Sequence, residues 1–291
     1  MLSKASLSII AALSLAGPLS AAELIDPAAF GFGRPGYMVD TTVIGGQDFD
    51  GSIRGSLEVF ELRTILPVWS TKVGEGGRIA TSLGYNITQL NFDPGDRMDL
   101  HNLELQVSYF WNSPTSNWWG LGFVTPGLGT DFNGISFDDF QISALGLLGY
   151  KFTETFTIAG GVFASYANDD GTLLPALGFI WNPGNWTLQV TPPFMVLGYK
   201  ISDPVTVSLS MYPSGGSWDV DRQDGINTVD LSGWQGAASI IWKATDKLSL
   251  SLRAGINFAG EFELRDTRER VLVDENLDPA PFGAFNIRWA F

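Results

Sequence analysis

Residues 248–264 alternate without a break. Leu248, Leu250, Leu252, Ala254, Ile256, Phe258, Gly260, Phe262 and Leu264 share one parity; Ser249, Ser251, Arg253, Gly255, Asn257, Ala259, Glu261 and Glu263 share the other. Strand side chains repeat every two residues, whereas a helix of this sequence would scatter both sets around its circumference. Such a segment commits the chain to a sheet whose two faces meet different surroundings.

The pattern recurs. Leu103, Leu105, Val107, Tyr109 and Trp111 oppose Asn102, Glu104, Gln106 and Ser108, and Val205, Val207, Leu209 and Met211 oppose Thr206, Ser208 and Ser210. Parity changes within 57–66 and 79–92 (Leu57 and Val59, then Phe60 and Leu62) mark either bulges or a locally misassigned face. A soluble antiparallel sandwich and a transmembrane barrel both produce alternation. Two features favour the barrel. Many runs reach the roughly 9–11 residues that cross a tilted bilayer. Aromatics such as Trp111, Tyr150, Trp181, Trp186 and Trp242 stand at strand ends, and Trp234 and Trp242 lie one apolar band apart, about 26 Å at ~3.3 Å per residue.

The chain ends on alternating Phe285, Ile287, Trp289 and Phe291. This ending resembles the last strand of Gram-negative outer-membrane β-barrel proteins, and within them the chain looks most like small barrels and phenol-pathway-type outer-membrane transporters. The resemblance implies an all-β, antiparallel transmembrane barrel in the bacterial outer membrane, with outer-membrane lipid and lipopolysaccharide around it. It also implies that Phe285, Ile287, Trp289 and Phe291 form a signal read by the barrel-assembly machinery. Residues 1–22 predict a signal peptide: Lys4, an apolar stretch over 7–15, a Gly17–Pro18 break and small residues up to Ala22. Residues 23–36 then form a periplasmic lead-in and 37–291 the barrel.

Short periplasmic turns and longer external loops divide the barrel into fourteen strands: 37–45, 54–66, 78–92, 99–112, 118–128, 138–152, 155–167, 173–182, 186–192, 194–201, 204–213, 227–243, 247–265 and 281–291. Twelve is the alternative, because Pro192 and Pro193 leave very little for an external loop.

The 291 residues carry 17 cationic and 31 acidic side chains, a net charge of −14, which argues against nucleic acid as a partner. With no cysteine, thiolate chemistry is excluded, and one histidine, His101, leaves almost no general-base or metal chemistry. No cofactor and no enzyme activity is expected. Asp219, Asp221 and Asp224 are the sole metal candidates, spaced one position late for an EF-hand. Parity places Glu104, Lys151, Lys200, Arg253, Glu261, Glu263, Arg265 and Arg288 toward the lumen, with Leu145, Leu147, Phe163 and Ile180 as apolar inward positions. Charge in the wall is costly on the lipid face and so points to water or to a partner. The expected function is therefore a passive channel or transporter for small molecules, and the alternative is a closed structural or surface-interaction barrel.

Overall fold

A computed structural model describes residues 36–51, 54–167, 170–221 and 225–290. The expectations for the signal peptide, for most of the lead-in, and for Asp224 and Phe291 lie outside the described residues. Within them the chain forms β1 (Gly36–Asp48), β2 (Ser56–Val73), β3 (Gly77–Asp93), β4 (Arg97–Asn112), β5 (Trp118–Thr130), β6 (Phe140–Lys151), β7 (Phe156–Ala167), β8 (Asp170–Trp181), β9 (Trp186–Thr191), β10 (Phe194–Lys200), β11 (Val205–Asp219), β12 (Ile226–Lys243), β13 (Leu248–Asp266), β14 (Val271–Leu277) and β15 (Ala280–Ala290).

Each strand from β1 to β13 pairs antiparallel with the next. β15 pairs with β1 on one side and with residues 248–257 of β13 on the other, while β14 takes residues 260–265 of β13. β14 and β15 thus occupy one wall position, interrupted at Asp278 and Pro279, and the sheet closes into a barrel of fourteen positions. Closure leaves no free sheet edge at the seam, which a bilayer demands.

The wall's outer face carries Val39, Val43, Leu105, Val107, Val162, Leu209, Ile240, Leu252 and Phe285, each 40–59% exposed. So large an exposed apolar belt would aggregate in water, and here it faces hydrocarbon. Trp118, Trp181, Trp186, Trp242 and Trp289, all exposed, girdle the periplasmic edge. The chain is a membrane-spanning barrel of the outer-membrane type.

Three departures from the sequence pattern matter. β2 and β3 pair without interruption from Ser56 to Pro67, so no bulge lies between Val59 and Phe60. Leu57 and Val59 are fully buried and point inward with Glu61 and Arg63. Apolar parity changes there because the upper lumen is itself apolar. In β13 the strict alternation does break: Ala259 has φ +50° and the β12–β13 register shifts by one residue beside it. That bulge turns Phe262 and Leu264 inward and Glu261, Glu263 and Arg265 outward. Lastly, much of what the sequence suggests as external loop is strand, β11 running to Asp219 and β14 filling 271–277.

Candidate functional site in the barrel interior

The interior is built in sectors. Along β13, β15, β1, β2 and β4 the inward face is polar. Arg253 places one guanidinium nitrogen 2.7 Å from each carboxylate oxygen of Asp40, and Asn286 donates to the same carboxylate at 3.0 Å. Arg253 and Asp40 are 1% and 4% exposed. Next to them Arg63 pairs with Glu104 at 3.2 Å across the intervening strand β3. Alternation on β1 aims Asp40 and Thr42 inward because Val39, Thr41 and Val43 take the other face. Charges of opposite sign inside the wall satisfy one another where water is scarce, and each alone would be costly.

On β5 to β8 the inward face is apolar in its lower part, with the uncharged polar Thr125, Gln141, Ser143 and Ser165 above. Trp119, Leu121, Phe123 and Ala159 form one cluster with Phe110, Leu145 and Leu147. Phe163 packs with Leu145, Leu174 and Phe194 in a second.

Toward the outside a larger apolar core fills the upper lumen, with Ile44, Leu57, Leu90, Leu100, Phe262 and Phe282 from the wall around Trp218 and Leu231 of the β11–β12 hairpin. The hairpin tip crosses the barrel. The Trp218 ring nitrogen donates to Asn102 of β4 at 2.8 Å, the Gln141 amide of β6 donates to the Ser217 carbonyl at 2.7 Å, and Asp219 bridges to Thr130 of β5. Beyond the apolar band, at the outer end of β11, Asp219 is held by Asn227 of β12 at 2.7 Å and faces Asp131, Asp138, Asp139 and Asp221. Burial, then these acids, push its pKa up to about 7.

The wall is not equally tall everywhere. β8 pairs with β9 only over Phe179–Trp181, and β10 pairs with β11 only up to Met195↔Met211. Above the short β9–β10 hairpin the upper parts of β8 and β11 therefore flank a notch.

Of the inward candidates, Glu104, Arg253 and Arg288 point into the barrel, Arg288 close to the periplasmic end. Lys151 and Lys200 lie at the periplasmic rim, bonded to Asn112 and Asp203. Glu261, Glu263 and Arg265 are a correction. The Ala259 bulge puts them on the outer face above the membrane, where Arg265 joins Asp230, Glu263 and Glu269. The inward charges Asp40, Glu61 and Arg63 went unread, although alternation with Val39 and Val43 would have exposed Asp40. Phe285, Ile287 and Trp289 face lipid, 43%, 38% and 47% exposed. His101 faces outward, bonded to Tyr85 at 2.9 Å and packed on Phe132. Among the described residues no group of three or more His, Asp or Glu side chains is placed to hold a metal ion, so Asp219 and Asp221 assemble none.

Solved structures similar to this chain include an outer membrane channel from Pseudomonas putida F1, at 11% identity and TM-score 0.48, covering 88% of this chain and 94% of that one. A Pseudomonas aeruginosa FadL homologue aligns at 10% identity and TM-score 0.46, over 96% of each chain. The translocator domain of autotransporter NalP from Neisseria meningitidis aligns at 12% identity and TM-score 0.41, over 92% of this chain and 93% of that one. No curated protein matches the sequence. Residues 69–290 match the family described as a domain of unknown function, DUF6268. That match takes in β3 to β15 and most of the interior just described, and the chain belongs to the DUF6268 family.

Proposed function

We propose that this barrel is a passive conduit by which small, partly apolar molecules cross the outer membrane. One observation carries the reading: below the apolar upper lumen the interior is two-sided, with buried charge on β13, β1, β2 and β4 and aromatic and aliphatic side chains on β5 to β8. A solute with a polar end and an apolar body finds partners on both arcs, whereas a water-filled pore needs no apolar arc. His101, the single histidine of the sequence, faces outward and away from this interior.

Reconstitution into an asymmetric bilayer with lipopolysaccharide outside tests the reading. Passage of naphthalene or a short alcohol-bearing aromatic above the protein-free rate is expected, and a folded barrel that passes neither refutes it.

The crossing hairpin favours a second reading, a closed barrel that displays its acidic outer loops. Trimming the hairpin tip separates the two, because a conduit gated by the tip gains flux and a closed structural barrel does not. In the same proposal residues 1–22 are removed after Ala22 during export, and the terminal strand is what the barrel-assembly machinery reads.

A further inference from the structure

We infer that the notch above β9–β10 is a lateral portal through which uncharged, apolar small molecules pass between the barrel interior and the outer half of the bilayer. This rests on the conduit reading and names its exit and its solute class.

The height of the wall comes first. Trp186 of β9 and Tyr199 of β10 pack together at the periplasmic girdle, ring centres 4.6 Å apart. From Trp186 to Thr191 the strand rises about 17 Å at ~3.3 Å per residue, or roughly 13 Å along the membrane normal at a barrel tilt of ~40°. The apolar band is about 25 Å tall. At this position the wall stops near mid-bilayer.

The flanking strands behave as edges. Beyond Phe179, β8 has no β9 partner, and beyond Met211, β11 has no β10 partner. Each edge carries a proline, Pro175 on β8 and Pro213 on β11, and Pro192 and Pro193 make the turn between. Proline cannot donate to a ladder and belongs where no neighbour strand follows. Leu173 and Leu177 on the outer face of upper β8 are 73% and 70% exposed, against 59% for Leu209 and Leu252. Their extra exposure is the missing strand.

Backbone groups left unpaired at membrane depth are tolerated only where they line a cavity or meet protein, so the notch must open inward. Inside it stands the cluster of Phe163, Leu145, Leu174 and Phe194. Between Thr172 and Ile180 the inward positions of β8 carry no charged side chain, and Ala176 is small beside Leu174, while Thr191 of β9 closes over Gly178 at the foot of the notch. The mouth is apolar, uncharged and at the depth of acyl chains.

The absence of native cysteine makes the test direct. In reconstituted wild-type background, bimane is attached at Ala176→Cys (inward, at the notch), Leu177→Cys (outward, same strand) and Ala159→Cys (inward, behind complete wall). Lipids bearing a nitroxide at mid-chain then quench by contact. Quenching at 176 close to that at 177, with 159 protected, is the expected result; protection of 176 equal to that of 159 overturns the portal. Ala176→Arg supplies the second measurement. Placing its charge in the path is expected to slow naphthalene passage across the lipopolysaccharide bilayer by roughly thirtyfold. Heat-modifiable migration on gels verifies that each variant is folded. If wild type passes naphthalene but 176 is protected and Ala176→Arg is without effect, the portal falls and the conduit stands. If wild type passes nothing, the conduit falls and takes the portal's transport role with it.

Discussion

Replacing Asp40 with Asn should destabilise the folded barrel more than any surface change. The substitution removes the carboxylate that two hydrogen bonds of 2.7 Å tie to Arg253, in a place where both partners are almost fully buried. Breaking one side of a buried pair costs about 3–5 kcal/mol, because the surviving charge keeps its desolvation penalty. Glu61, the next acid facing Arg253, remains and offsets part of that. The expected loss is therefore about 2–3 kcal/mol, below the full cost of an uncompensated buried charge. Arg253→Met alone should cost a similar amount, since it strands Asp40 beside Glu61. The double variant Asp40→Leu/Arg253→Met should lie within about 1 kcal/mol of wild type, as an apolar pair of similar volume needs no desolvation offset. Urea unfolding in lipid vesicles, followed by tryptophan fluorescence, measures wild type, Asp40→Leu, Arg253→Met and the double variant in one cycle, with Asp40→Asn beside them. Additive losses in the double variant would refute the pairing argument.

Four further outcomes are expected. Ala259→Gly should stabilise by about 0.5–1 kcal/mol in the same urea assay, since φ +50° strains alanine and not glycine; a loss would mean the bulge is held by something other than backbone shape. Trp218→Ala should cost about 3–5 kcal/mol and expose the β11–β12 hairpin to protease, because it deletes a fully buried ring and its bond to Asn102; an uncleaved hairpin would argue against the crossing. Asp219 is raised from an ordinary carboxylate value to about 7, so the folded state holds a proton the unfolded state releases, and docking of the tip should weaken as pH rises from about 4 to 7 and then level off. Hydrogen exchange at the tip reads this directly, and Asp219→Asn should abolish the trend; an unchanged slope sinks the assignment. Deleting Phe291 should lower the amount reaching the outer membrane while leaving folding in detergent intact, and equal levels in membrane fractions would remove the terminal-signal argument.

The barrel, its fourteen positions and its lipid face were legible because outward side chains answer to one solvent. Leu103, Leu105 and Val107 could face nothing but hydrocarbon with Glu104 between them. The interior was harder, since it offers three surroundings in one lumen. Glu104 and Leu57 both point inward, one to Arg63 and one to an apolar core, so polarity alone does not report direction there. Phe262 and Leu264 looked lipid-facing for the same reason, and nothing in a run of perfect alternation announces the extra residue at Ala259. The crossing hairpin is hidden as well, because Trp218 meets Asn102 across the barrel, 116 residues earlier in the chain. The short β9–β10 hairpin, by contrast, was written openly in Pro192 and Pro193, as the feature that cast doubt on the strand count.

The bulge at Ala259 has a meaning for descent as well as for shape. A strand is read in steps of two, so one residue more or less is a change of phase for everything beyond it. Because the bulge absorbs the extra residue, loss of the Ala259 codon would leave Phe262 and Leu264 inside and Glu261 and Glu263 outside, whereas a strand that kept the residue and lost the bulge would exchange an apolar ceiling for an acidic one. Within the family, a one-residue length difference at this point would therefore mark a bulge gained or lost at constant interior chemistry, with the same residues still lining the upper lumen.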